Sequence, residues 1–203
     1  FISSAKKTTI TLNLNGGNCD TNEIVTHYNE NYELPIPSRP GYSFSGWYYE
    51  DNKYESGISK FTDDILLTAK WNKYDYYISY DLGLDNVTND NPQNFDYETE
   101  TFIINELSKE GYTFLGWSID GNSDLYKTVT IEKNTTKNIE LKANWKANEY
   151  IVTLIPGNGI IEYNTISVIF GDSYDLGVPS IEYYTLNGWY NGDDKFYTTG
   201  VWG

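Results

Sequence analysis

The stretch Gly41-Tyr42-Ser43-Phe44-Ser45-Gly46-Trp47 returns as Gly111-Tyr112-Thr113-Phe114-Leu115-Gly116-Trp117, and again, altered, as Tyr183-Tyr184-Thr185-Leu186-Asn187-Gly188-Trp189. A core pattern that recurs at intervals of about seventy residues excludes one continuous core and requires an array of small modules. The repeats share hydrophobic positions and no reactive constellation, so the recurrence is a building plan before it is chemistry.

The modules read as strands. Ile10-Thr11-Leu12-Asn13-Leu14 alternates apolar and polar residues before Asn15-Gly16-Gly17, and the later copies are Ile78-Ser79-Tyr80-Asp81 before Gly83 and Val152-Thr153-Leu154 before Pro156-Gly157. A second strand is expected at 24–28 and 166–170, and approximately at 95–104. Pro35, Pro37, Pro40 and Pro179 then favour an extended crossing segment over a helix. In the signature strand, alternation sends Tyr42, Phe44 and Gly46 to one face and Trp47 to the other, unless Gly46 marks a bulge that turns Trp47 back onto the core. The closing strands are the clearest, with Ile65, Leu67, Ala69 and Trp71 alternating with polar neighbours, and Ile139, Leu141, Ala143 and Trp145 doing the same. The best helix candidate, 103–109, is too short to stand alone.

These elements predict a mainly β chain with little helix, arranged as repeat 1 over 8–72, repeat 2 over 76–146 and a truncated repeat 3 over 150–203. Repeats 1 and 3 align without a gap from Ile10/Val152 to Trp47/Trp189, and that alignment puts Gly203 opposite Phe61, so the third copy lacks a closing strand and is expected to leave an open edge for strand pairing. Repeat 2 carries an extra loop, 85–94. The links Asn72-Lys73-Tyr74-Asp75 and Lys146-Ala147-Asn148-Glu149 are too short for free coils, which predicts a semi-rigid string. The chain contains no Met and opens on Phe1-Ile2, as expected of a piece of something longer.

With 29 acidic residues against 14 basic ones, the formal charge of -15 opposes nucleic acid and anionic membrane as partners. No apolar run is long enough for a membrane span. Cys19 is the only cysteine, so no intramolecular disulfide staples the modules, and the 20 Tyr and 6 Trp supply the buried area that small cores need.

Chemistry is sparse. The chain has one histidine, His27, one cysteine, Cys19, and one arginine, Arg39, none repeated in register, so no catalytic residues and no cofactor are expected. The Asp/Asn-rich loop 85–91 offers oxygen ligands, but Val87 stands at a ligand position and no Glu closes it, so no metal is expected. A Lys-Asn cross-link would need a buried lysine, and Lys53/Lys195 is the only lysine repeated in register. Exposed tyrosines stack on sugars and suit protein contacts. Tyr48, Tyr49 and Tyr190 are the candidate ligand-binding residues, and a binding array should gather such rings at equivalent places in successive repeats.

The ordered set of an alternating strand before Gly16-Gly17, Tyr28-Asn29-Glu30-Asn31-Tyr32-Glu33-Leu34-Pro35, Arg39-Pro40-Gly41-Tyr42-Ser43-Phe44-Ser45-Gly46-Trp47-Tyr48 and Ile65-Leu66-Leu67-Thr68-Ala69-Lys70-Trp71 resembles the Listeria-Bacteroides repeat, also known from the B repeat of Listeria internalins. The resemblance covers nearly the whole chain. It implies β-grasp-like (ubiquitin-like) modules in a bacterial surface protein, extracellular and attached to the cell wall, whose repeats act as a non-enzymatic stalk or spacer in adhesion. The alternative it leaves open is a module that itself binds a glycan or a host extracellular protein. Tyr183 departs from the pattern, standing where the other copies have glycine.

Overall fold

The computed structural model of the protein describes residues 5–203, which form strands and loops with no helix among them. The segment 103–109 is no helix: a strand ends at Ile104, and the loop beyond it closes on a turn in which the Tyr112 N–H donates to Lys109 O.

Repeat 1 holds a five-stranded sheet in the order Glu23–His27, Lys7–Asn13, Ile65–Lys73, Tyr42–Tyr49, Asn52–Tyr54. Its opening strand, Lys7–Asn13, and its closing strand, Ile65–Lys73, lie side by side and parallel, in register from Ile10↔Ile65 to Asn13↔Thr68. Alternation puts Ile10, Leu12, Leu67 and Ala69 on one face, where they are buried with Trp47, while Leu66 on the other face is half exposed.

In repeats 1 and 2 the glycine inside the signature strand makes the expected bulge. The pairing of Tyr42–Tyr49 with the closing strand slips between Phe44 and Gly46, and that of Tyr112–Ile119 with Ile139–Ala147 slips between Phe114 and Gly116. Gly46 has φ +143° and Gly116 φ +145°, values that an L side chain rarely adopts. The extra residue returns the tryptophan to the core face. Phe44 meets Trp47 and Trp71 with ring centroids 5.5 Å apart in both pairs, and Phe114 meets Trp117 and Trp145 at 5.4 and 5.1 Å.

The signature tryptophan of each repeat also ties down the crossing segment. Trp47 Nε1 donates to Pro35 O at 2.8 Å, Trp117 Nε1 to Asn105 O at 3.0 Å and Trp189 Nε1 to Gly177 O at 3.0 Å, in every case a carbonyl twelve residues back. The bond gives a buried N–H its partner.

By spatial proximity the chain forms two compact units, and their boundary does not follow the repeats. One comprises Phe1–Ile78, Pro92–Phe102 and Thr130–Asn138; the other comprises Ser79–Asn91, Ile103–Val129 and Ile139–Gly203. In the first unit, Asp75, Tyr76 and Tyr77 pair with Asp96, Phe95 and Asn94. In the second, Tyr112–Ile119 pairs with Ile139–Ala147, and Ile104, Phe114, Trp117 and Leu141 are buried.

Repeat 3, also in the second unit, contains three two-stranded pieces: Glu149–Thr153 with Thr165–Ile169, Ser173–Asp175 with Thr199–Val201, and Trp189–Asn191 with Asp194–Phe196. Leu154, Leu176 and Trp189 form its small core. No strand joins the opening piece to the signature piece, and an apolar slot of about 620 Å³ lies there, lined by Val152, Leu154, Trp189, Phe196 and Trp202 among others. The gapless register fails near the end. Tyr32 pairs with Gly57, but Tyr174 pairs with Gly200, one residue later than the alignment requires. Gly203 therefore corresponds to Lys60, not to Phe61. Trp202 packs on Tyr174 and Phe196 much as Phe61 packs on Tyr32 and Tyr54.

Candidate functional site at the repeat boundaries

The most developed side-chain constellations lie where one repeat meets the next. Gly41 heads the signature strand at φ +78°, in a turn closed by the Tyr42 N–H donating to Arg39 O at 3.1 Å. A Cβ on Gly41 would stand 2.2 Å from Tyr97 Cβ and 2.5 Å from its Cγ, so glycine is needed for space as well as for conformation. Gly41 O accepts the Tyr74 N–H of the link at 2.9 Å. Around this contact Lys73 Nζ reaches Asp96 at 3.1 Å and Glu98 at 3.0 Å, the Tyr42 hydroxyl donates to Glu98, and Arg39 lies 3.7 Å from Glu98 and 3.9 Å above the Tyr42 ring. The Glu98 carboxyl is held below its ordinary range by the Tyr42 hydrogen bond and then by Lys73, and Asp96 is lowered chiefly by Lys73.

The second boundary repeats the seat with another rim. Gly111 has φ +76°, and its Cβ would come within 2.3 Å of three atoms of the Phe170 ring. Gly111 O accepts the Asn148 N–H at 2.8 Å, and the Phe170 N–H in turn donates to Asn148 O at 2.9 Å. Tyr112 meets Phe170 edge to face at 5.4 Å, and the Thr113 hydroxyl donates to Asn148 Oδ1 at 2.6 Å.

Tyr97 and Phe170 hold the same place in their repeats. The first residue of each opening strand pairs with the residue just before the ring, as Asp75↔Asp96, Glu149↔Ile169 and, in repeat 1, Lys7↔His27. Tyr28 is thus the third member of the set. An aromatic after every second strand was a signal available in the sequence, hidden by the insertion that shifts repeat 2.

The residues singled out as ligand-binding lie elsewhere. Tyr48 and Tyr49 belong to one unit and Tyr190 to the other. Tyr48 is half-buried, paired across the hairpin with Lys53, and Lys70 Nζ sits 4.4 Å from its ring centroid. Tyr49 is 45% exposed; Tyr190 is 53% exposed, pairs with Lys195 and accepts a hydrogen bond from Asn187 at 3.3 Å. Repeat 2 has Ser118 and Ile119 at the equivalent positions, so this feature is not carried through the array. His27 lies 2.8 Å from Glu30 on the surface, and Cys19 is half-buried. Lys53 is half exposed and lies across the Gly46 bulge, which is no setting for a core cross-link. In the loop 85–91, Asn91 is engaged with Asn89 and Asn105 and thereby braces the crossing segment; among the described residues no group of three His, Cys, Asp or Glu is placed to hold a metal.

The sequence model of the Listeria-Bacteroides repeat domain matches residues 9–70 and 76–144, more than half of the chain. The chain belongs to the Listeria-Bacteroides repeat family. Among relatives of the repeat, a protein of Evansella cellulosilytica named as a Gly-rich membrane protein is 31% identical over 173 residues, covering 75% of this chain and 19% of its own length. Another from the same organism, named as a membrane protein, is 30% identical over 152 residues, covering 71% of this chain and 22% of its own length. The chain therefore spans about a fifth of the relatives it matches. No solved structure matches. No helix among the described residues is long and apolar enough to cross a membrane.

Proposed function

We propose that this chain is the non-enzymatic repeat region of a bacterial cell-surface protein, outside the cell and anchored to its envelope, where it acts as a stalk or spacer in adhesion. The observation that carries the reading is the packing at the repeat boundaries, where Tyr97 lies on Gly41 and Phe170 on Gly111, because a spacer needs successive modules held by contact and not by linker alone. The relatives named as membrane proteins support an envelope location. A β-grasp-like module fits the order of the repeat 1 sheet, in which parallel first and last strands are central and flanked by hairpins. The modules are taken as 8–72, 76–146 and 150–203.

The second reading is a glycan- or host-protein-binding module, and the exposure of Tyr49 and Tyr190 is what favours it. A glycan-array and host-extracellular-protein screen on the 203-residue chain, beside a variant with Tyr48, Tyr49 and Tyr190 changed to Ser, decides between them. The spacer reading expects no ligand for either protein. Binding by the parent that the folded variant loses overturns it in favour of recognition.

A further inference from the structure

All three repeats carry the aromatic ring after the second strand, Tyr28, Tyr97 and Phe170, but only two carry the glycine that receives such a ring. Tyr183 holds the backbone of that glycine: its φ is +66° against +78° at Gly41 and +76° at Gly111, and the Tyr184 N–H closes the same turn onto Ile181 O at 3.2 Å. The seat is therefore formed in repeat 3, and a tyrosine side chain stands in it. The residue is 93% exposed, so its bulk projects outward from the place where the other repeats have a glycine covered by the next repeat's ring. A tyrosine in left-handed backbone is a genuine outlier, and such positions persist where the surroundings fix them.

We propose that the residue at the head of each signature strand decides whether the next module docks. Glycine admits the neighbour's ring and makes a packed joint, whereas Tyr183 closes the seat, so that a module joined beyond repeat 3 is tethered by its link and free to swing. A Cβ alone would already fall within 2.5 Å of an atom of the incoming ring at either working seat, and a tyrosine adds a phenol to that overlap. The partner that fits an open seat is thus specific in kind: the ring of another repeat of this family, presented after its second strand. Tyr28, 45% exposed, is such a ring. The inference holds whether the array spaces or binds, so the binding screen above can fail without touching it.

The test uses the full chain with Cys19→Ser and spin labels at Lys142→Cys and Glu162→Cys, exposed positions of repeats 2 and 3 that lie in the same compact unit. The parent should give one narrow distance distribution, and Gly111→Tyr should broaden it at least twofold. A label pair inside repeat 3, at Glu162 and Asp193, should stay as in the parent. Phe170→Ala, which removes the ring and leaves repeat 2 unaltered, should broaden the distribution as well, and covers the case in which Gly111→Tyr fails to fold. A narrow distribution retained in both variants overturns the proposal. For Tyr183 itself, a fusion that continues Gly203 into a second copy of residues 61–146 should show a broad distribution across the new boundary, which Tyr183→Gly narrows. A new boundary already narrow with Tyr183 in place would show that the tyrosine closes nothing.

Discussion

The two repeat boundaries share a seat and differ in everything around it. At the first, Arg39, Tyr42 and Lys73 of one repeat face Asp96 and Glu98 of the next; at the second, Lys109, Tyr112 and Ala147 stand in the first three places, and Ile169 and Gly171 in the last two. Four charged rim residues have given way to one, Lys109, without moving the glycine or the ring. Steric fit thus sets the joint, and the rim only tunes it, as expected where exposed ion pairs contribute little and a ring laid on backbone contributes through buried area.

The sharpest way to separate the joints is to remove the module that supports one of them. Trp47→Ala deletes an indole only 2% exposed and its bond to Pro35 O, which should destabilise repeat 1 by about 3 to 5 kcal/mol. Calorimetry should show an early transition that takes the first joint with it and leaves the Gly111–Phe170 contact intact, as read by the label pair across it. A single unshifted transition would mean that the indole does not hold the repeat.

A smaller effect tests the claim that the ring matters more than its rim. Phe170→Ala should weaken the second joint by about 1 to 2 kcal/mol, the worth of a partly buried aromatic, and Tyr97→Ala should do the same at the first joint even though every ion pair there is left in place. If Tyr97→Ala leaves the first joint closed, the charged rim is sufficient and the two joints work differently.

The smallest effect distinguishes the rims. Asp96 and Glu98 are held below their ordinary values of 3.8 and 4.5, so what they contribute is complete above those values and is lost as the pH falls through the lowered ones. Lys73 is raised, so its share is whole below its ordinary 10.5 and disappears only in strong alkali. The first joint should therefore loosen slightly in acid and in high salt, while the second stays unchanged under both. Distance measurements at pH 7 and pH 3, with and without 1 M salt, would show it; equal responses at the two joints would count against the assignment of the rims.

Within a repeat, much was legible in the sequence because it is local or periodic. Alternation at Ile65, Leu67 and Ala69 places the closing strand, and the glycine before Trp47 marks the bulge that the register slip between Phe44 and Gly46 displays. What passes between repeats was not legible. Nothing periodic links Gly41 to Tyr97, 56 positions apart in the chain, and the repeat 2 insertion hides the alignment that sets Tyr97 beside Phe170 and Tyr28. The one-residue slip before Gly200 escaped for a related reason, since strand pairing, not residue similarity, fixes which positions correspond. Tyr48, Tyr49 and Tyr190 stand out in the sequence only as members of a tyrosine-rich surface, whereas the aromatics with a defined partner across a boundary are Tyr97 and Phe170.

The parallel pairing of the opening and closing strands in repeat 1 has a mechanical side. In a parallel pair the incoming end of one strand and the outgoing end of the other lie at opposite extremes of the ladder, from Ile10↔Ile65 to Asn13↔Thr68. Tension applied through the chain therefore loads those hydrogen bonds together, in shear, and cannot peel them one at a time. Rupture under load is governed by the unfolding barrier and not by equilibrium stability, so a module of modest thermal stability built this way can still resist a sustained pull along the chain.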